Sequence, residues 1–353
     1  MNSACLHLSC AVSADGYLDD RAPARAILSS PEDLEAVLAL RAHMDMIVVG
    51  AETLRRDNPS LATRGAVHVS ARKAAGLAPD PIKLVITRTG PIPTDRAFFR
   101  TGSGETIILS HRPTNALGTT ELFEGSPMTA IRRIAEARDL KHVLIEGGAQ
   151  ILSLAIPHAR FLRLAVSPRR LGRDGHARLF NNVEAFLESQ SVTHSEKLGD
   201  TTVYHIDLLL GRARPLMEQA FRVSENCPPS DRAFAVGCLG CEADLSVIAT
   251  GFSRETGPKD HAEEAMLSKA DRAIHTAIVT LEPCLMRASK PTGCAQRLIK
   301  AGVRRVIYAV AEDETFTRQV GLDYLRRNDV DVIHMPGFDD WFQRVNAPLY
   351  GTQ

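Results

Sequence analysis

Short apolar runs alternate with helix-period stretches through the first 210 residues of the chain. CLHLSCAVS (5–13) is followed by SPEDLEAVLALRAHM (30–44), which has a helical period. Then come DMIVVGA (45–51), PIKLVITRT (81–89), ETIILS (105–110), HVLIEGG (142–148), FLRLAVSP (161–168) and TVYHIDLLL (202–210). Runs of this kind predict buried strands, and the helices and turns between them predict an α/β sheet covered on both faces. GRARP (211–215) interrupts the alternation with a basic, loop-like stretch. The domain junction is placed there, giving domains at 1–212 and 213–353. Beyond it LMEQAFRVS (216–224) reads as a helix, and AFAVGCLGC (233–241) and LSVIATGF (245–252) as a hairpin around the polar turn EAD. A helix over 261–270, the strand HTAIVTLE (275–282) and the helix CAQRLIKAG (294–302) follow, with Gly302 as its C-cap. RRVIYAV, GLDYLRRND and VDVIHM complete a second, smaller α/β unit.

Composition narrows the class without changing this picture. With 353 residues, 44% apolar and 24% charged, the chain can bury two cores. Its 42 basic and 42 acidic residues cancel, which argues against a general nucleic-acid or membrane-surface binder. The N-terminal stretch has neither a basic leader nor a long apolar run, so no signal peptide or membrane span is expected. Seven scattered cysteines do not make a disulfide framework and point to a reducing, cytoplasmic setting.

The chemistry concentrates at KDHAEEAML (259–267) and LEPCLMRASKPTGC (281–294). Asp260 is expected to cap the first helix, with Glu263 as the acid of a capping box. His261 and Glu263 then lie at a helix start, Cys284 follows a strand after Pro283, and Cys294 opens another helix, where the dipole favours the thiolate. An imidazole and two thiolates make a zinc ligand set with one position open to water, and a carboxylate outside the set can carry protons. Capping and core packing explain either half alone, but not both halves together at element boundaries. Cys238 and Cys241 have knuckle-like C-x2-C spacing but lie in a strand pattern, where residues three apart point to opposite faces. They are read as core, as are Cys5 and Cys10.

Residues 216–335 resemble the cytidine-deaminase-like superfamily. The nine-residue gap between cysteines is similar to its riboflavin-biosynthesis branch, the fungal type most of all. The resemblance implies zinc (Zn2+) on His261, Cys284 and Cys294, with Glu263 as catalytic proton shuttle. Many bacterial members hold substrate with an Asn-Pro pair before the first strand's VG, where this chain has Ala235 before Val236 and Gly237.

In the first domain, Gly147 and Gly148 stand between a strand and a helix. There they serve either close packing or the approach of a phosphate to helix N–H groups. GAETLRRDNPSLATR (50–64) follows a strand end, where ligands sit in open α/β sheets. Together with SADGYLDD and LIEGGA, these segments resemble the reductase domain of the same pathway, which has a dihydrofolate-reductase-like fold. The resemblance implies NADPH contacts at Ser13, Thr53, Asp57, Gly147 and Gly148, and substrate contacts at Arg41, Leu61, Arg64 and Glu146. Arg88 either reads the NADPH 2′-phosphate or is a solvated surface residue. An aromatic cofactor contact and an Asp-Glu pair common in bacterial members are absent.

The expectation is therefore a two-domain α/β protein: a dihydrofolate-reductase-like domain, then a cytidine-deaminase-like three-layer α/β/α domain. It is expected to be a member of the bifunctional riboflavin-biosynthesis deaminase/reductase family with reversed domain order. Reduction is expected first, on a small pyrimidine nucleotide, with a homodimer or larger homo-oligomer as the working form and neither nucleic acid nor membrane as partner. Three alternatives stay open. One is a deaminase with a non-catalytic first domain. Another is a specialised azapteridine (toxoflavin-like) route. The third is a nucleic-acid base deaminase, disfavoured by neutral charge and 5% aromatics.

Overall fold

The structure, a computed structural model, describes residues 4–88, 92–114, 117–287, 290–311 and 320–350. The expected strand PIKLVITRT ends on residue 89, and the gap between Cys284 and Cys294 includes 288 and 289; these lie outside the described residues. The chain divides into two compact units, Met1–Gly211 and Arg212–Gln353. Among the described residues no helix is long and apolar enough to cross a membrane.

The first unit runs β1 (Cys5–Ser13), β2 (Tyr17–Asp20), α1 (Pro31–Arg41), β3 (Met46–Gly50), α2 (Ala51–Asp57), α3 (Ala66–Ala74) and β4 (Ile82–Thr87). It continues with α4 (Ala97–Arg100), β5 (Thr106–Ser110), β6 (Thr119–Leu122), α5 (Pro127–Ala137), β7 (His142–Ile145) and α6 (Ala149–Ala155). β8 (Phe161–Ser167), β9 (Gly175–Arg178), α7 (Val183–Glu188), β10 (Ser191–Leu198) and β11 (Thr201–Asp207) complete it. Nine strands form one sheet in the order β10-β11-β8-β1-β7-β3-β4-β5-β6. From β8 to β6 every pairing is parallel, while β11 joins β8 antiparallel. The parallel strands carry apolar residues on both faces. Leu6, Leu8, Val12, Val48 and Val143 pack on one side, and Ile47, Val49, Leu144 and Ile108 on the other. That two-sided burial is why the strands read as continuous apolar runs. Cys10 joins the core, but Cys5 is only half-buried, so its assignment to the core is corrected.

GRARP is not a loop. α8 (Leu208–Ser224) runs through it with Pro215 inside the helix, and the division between the two units falls within this element. Its apolar neighbours Leu209, Ala213, Met217, Ala220 and Phe221 are all buried, at helical spacing. That apolar stripe outweighs the local signal of Gly211 and Pro215.

The second unit continues with β12 (Gly237–Cys241), β13 (Val247–Phe252), α9 (Ala262–Lys269), β14 (Thr276–Leu281), α10 (Cys294–Lys300) and β15 (Arg305–Val310). α11 (Val320–Arg327), β16 (Asp331–His334), α12 (Asp339–Val345) and α13 (Ala347–Tyr350) follow. Its sheet order is β13-β12-β14-β15-β16, with the last three strands parallel. Cys238 and Cys241 are buried in β12, and burial raises both thiols, as core cysteines require.

Candidate active sites

His261 is itself the N-cap of α9, which corrects the expectation that Asp260 would be. The acid of the cap is Glu264, not Glu263: its carboxylate accepts the His261 N–H at 3.1 Å. Glu263 is thereby left on another face of the first turn, where it is 3% exposed. Cys284 follows β14 at the end of a parallel strand, and Cys294 is the first residue of α10. Its N–H points at the Cys284 sulfur at 3.5 Å. Three elements thus deliver three side chains to one point.

The His261 Nδ1 lies 3.6 Å from the Cys284 Sγ and 3.3 Å from the Cys294 Sγ, and all three ligand atoms fall within 4.8 Å of one another. A tetrahedral zinc with ordinary bond lengths places nitrogen and sulfur ligands about 3.5 Å apart. The donor set and its spacing therefore fit the metal. The electrostatics fit as well. Hydrogen bonding from Cys294, then from His261, pulls the Cys284 thiol down to about 4 despite its burial. Cys294 is pushed well above its ordinary range, by the adjacent Cys284 sulfur first and by burial second. A divalent cation between the sulfurs supplies the positive charge that both thiolates need. Burial, reinforced by the Cys284 sulfur, raises the Glu263 carboxyl above the usual glutamate range.

Sequence reasoning missed Glu264. It is 10% exposed and gathers Arg287 at 2.7 Å, Lys290 at 2.9 Å and Arg297 at 3.2 Å. The second glutamate of HAEE and the basic residues after Cys284 were visible as types. Only the fold shows that they meet and hold the His261 end of α9 against the cysteine loop.

In the first unit, the C-terminal ends of three adjacent strands converge, which is where open α/β sheets bind ligands. β1 ends at Ser13, β7 leads into Glu146, Gly147 and Gly148, and β3 leads into α2 with Thr53. Gly147 has to be glycine, because a Cβ there would lie 2.7 Å from the Thr53 Oγ1. Gly148 begins α6 at φ +80, and no side chain caps that helix start. Of the two roles open to the glycine pair, the close packing of Gly147 on Thr53 is present, and the start of α6 beside it has no side-chain cap. Arg41, the last residue of α1, forms a bidentate ion pair with Glu146 at 2.8 and 2.6 Å. These two expected substrate contacts therefore neutralise each other. Arg64 is exposed and donates to the Ser60 Oγ at 3.1 Å.

Other expected contacts are altered by the fold. The Leu61 side chain is 1% exposed within the core, and its backbone is left-handed at φ +54. With the side chain in the core, a substrate contact at Leu61 would run through its main chain. Asp57 ends α2 and pairs with Arg25 at 3.2 Å; burial raises its carboxyl, and the arginines partly offset this. Ser13 is fully buried, donating to Asp15 at 2.7 Å and accepting from the Tyr17 N–H at 3.0 Å. It fixes the turn through Gly16, whose φ of +85 and close approach to the Phe180 carbonyl exclude a side chain. Arg88 is exposed.

Asp80 holds the loop that carries Leu61 and Arg64. It accepts the Thr63 N–H at 2.7 Å, the Ser103 N–H at 2.7 Å and the Ser103 hydroxyl at 3.0 Å. Burial alone would raise its pKa, but these bonds outweigh it and hold the carboxyl below the usual range. With a depressed folded pKa, its stabilisation is present above the unfolded value of about 3.9 and is lost as pH falls through the folded one. Asp80→Ala should cost about 1–3 kcal/mol at pH 7. Urea unfolding should show the gap from wild type closing below about pH 3.9.

The RibD C-terminal domain family matches residues 4–204, and the cytidine and deoxycytidylate deaminase zinc-binding region matches 212–310. A diaminohydroxyphosphoribosylamino-pyrimidine deaminase of Schizosaccharomyces pombe is 31% identical over 131 residues, 35% of this chain and 32% of that protein. The chain thus spans about a third of that relative's length. A 2,5-diamino-6-ribosylamino-4(3H)-pyrimidinone 5′-phosphate reductase of Archaeoglobus fulgidus is 23% identical over 201 residues, 54% of this chain and 91% of that one. Among solved structures, a bifunctional deaminase/reductase from Thermotoga maritima aligns with 58% of this chain and 56% of its own, at 18% identity and a TM-score of 0.49. The His261, Cys284 and Cys294 cluster falls inside the matched zinc-binding region, and the converging ends of β1, β3 and β7 fall inside the matched reductase domain. The chain belongs to the RibD C-terminal domain family, and it carries that domain first and a deaminase zinc-binding region second, the reverse of the bifunctional order.

Proposed function

We propose that the chain is a bifunctional enzyme of riboflavin-type pyrimidine metabolism, a zinc-dependent deaminase joined to an NADPH-dependent reductase. The carrying observation is the convergence of one imidazole and two sulfurs within 4.8 Å, beside a buried carboxylate that is not among them. That division of labour, three ligands and one proton carrier, is what hydrolytic deamination of a pyrimidine needs.

Zinc, when bound, makes a water nucleophilic near neutral pH. His261, Cys284 and Cys294 would hold it. Glu263, buried and with a raised pKa, accepts a proton and returns it to the departing ammonia. Glu264 and its cations keep His261 in place throughout. In the first unit, NADPH supplies hydride. Thr53, Asp57, Gly147 and Gly148 would hold the cofactor, with the start of α6 taking phosphate charge. Arg64 is the exposed cation best suited to the substrate phosphate, and the Arg41–Glu146 pair orients the ribosyl end.

Reduction precedes deamination in this reading. The relatives matched over the first unit, from Archaeoglobus fulgidus and Aquifex aeolicus, are named as reductases of a 2,5-diamino compound, which still carries its amino group. The enzyme is read as cytoplasmic and homo-oligomeric. The same two reactions would also serve a route diverting the pyrimidine to a toxoflavin-like azapteridine.

The test supplies the diamino-ribosylamino-pyrimidinone phosphate with and without NADPH and follows products by mass spectrometry. A deaminated product that forms only with NADPH supports both activities and the reduction-first order. Deamination without NADPH overturns that order, and if added NADPH then changes nothing, the first unit is a non-catalytic module. Untouched substrate overturns the substrate assignment.

A further inference from the structure

Among the described residues only two groups of histidine, cysteine and acidic side chains bring three ligand atoms within 4.8 Å of one another. One is the deaminase cluster. The other is Cys5, His7 and His142, in the first unit. We infer that Cys5, His7 and His142 form a second zinc-binding site, a clip between β1 and β7 that is separate from the reductase centre.

The placement follows from strand geometry. Cys5 and His7 are two apart on β1 and share a face. In the parallel register of β1 on β7, Cys5 stands opposite His142 and His7 opposite Leu144. All three side chains therefore project from one face, where the strands begin. Ser13, Glu146, Gly147 and Thr53 lie where the same strands end, at the opposite edge of the sheet. The His7 Nε2 and His142 Nδ1 are 3.1 Å apart. Two imidazole nitrogens on one tetrahedral zinc are expected about 3.3 Å apart, so the pair needs little adjustment. The His7 ring is stacked on Phe161 with centroids at 5.2 Å, which fixes its orientation. His142 is exposed and Cys5 and His7 half-buried, giving a path for entry and room for water as a fourth ligand.

The donor chemistry selects the ion. One thiolate with two imidazoles suits zinc and excludes magnesium or calcium, which demand oxygen. Arg160, which lies over Phe161 at 4.9 Å, is offset by Asp207 at 3.5 Å. A bound ion would clip the start of β1 to β7, linking segments about 135 residues apart in sequence.

The test counts zinc in the full-length chain by mass spectrometry after zinc loading and desalting. Close to two ions per chain are expected. His142→Ala should retain one, His261→Ala/Cys284→Ala should retain one, and the triple variant none. Cobalt added to the His261→Ala/Cys284→Ala chain should give thiolate-to-cobalt absorption, and further substitution Cys5→Ser should remove it. Because His142 is exposed, its alanine variant should keep the wild-type circular dichroism and NADPH oxidation, and added to the His261→Ala/Cys284→Ala chain it should abolish the zinc-dependent rise in Tm that chain retains. A single ion in wild type and none in His261→Ala/Cys284→Ala would overturn the site. So would zinc that the His261→Ala/Cys284→Ala chain still holds after both His142→Ala and Cys5→Ser are added.

Discussion

Glu263→Gln should lower deamination by at least about 1,000-fold while zinc content stays at the wild-type level. General acid–base catalysis by one group contributes about 10²–10⁴-fold, and this carboxyl serves both the attack and the departure of ammonia. The glutamine keeps the volume and one hydrogen-bond acceptor, but it cannot take up and release a proton. Folding should not suffer. Glu263 is 3% exposed and burial disfavours its charged form, so a neutral amide removes a desolvation cost. The measurement pairs ammonia release with zinc quantitation and a thermal melt. A variant that still deaminates removes Glu263 from the mechanism, whereas loss of zinc would make it a ligand or a support for one.

Cys284→Ala should lose the deaminase zinc and deamination together and leave NADPH oxidation within about twofold of wild type. The substitution leaves two protein ligands where three are needed to hold zinc with one position open to water. It also removes the sulfur whose thiol the Cys294 and His261 hydrogen bonds pull down to about 4. The reductase residues all belong to the first unit, Met1–Gly211, whose sheet is complete without the second. Steady-state NADPH consumption alongside ammonia release separates the two activities. If both fall together, the zinc site supports the fold of the whole chain and the independence of the units is wrong.

These two outcomes rest on residues that were legible from spacing alone. H-A-E at a helix start and P-C with a second cysteine at another helix start are local patterns. The backbone direction at an element boundary is set by a handful of neighbouring residues, so the pattern survives translation into three dimensions. The residues expected of a reductase were less legible. Thr53 and Gly147 meet because β3 and β7 are neighbours in the sheet, and Arg41 reaches Glu146 across 105 residues. Leu61 was named for a ligand, and its side chain packs in the core on a left-handed stretch of backbone. GRARP misled for the opposite reason: glycine and proline weighed on the local reading, while a buried stripe along α8 carried the helix through.

The sequence by itself determined most of the alternation of strands and helices, and it picked out His261, Cys284, Cys294 and Glu263, which the fold brings together. Each depends on periodicity or on spacing within a few turns of chain. Tertiary structure alone decided that Glu264 rather than Glu263 completes the cap, that three cations gather on it, and that Arg41 is neutralised before substrate arrives. It alone also decided that Cys5, His7 and His142 share one face. A sheet register joins residues far apart in the chain, and no local pattern of apolar and polar positions encodes which strand will lie beside which.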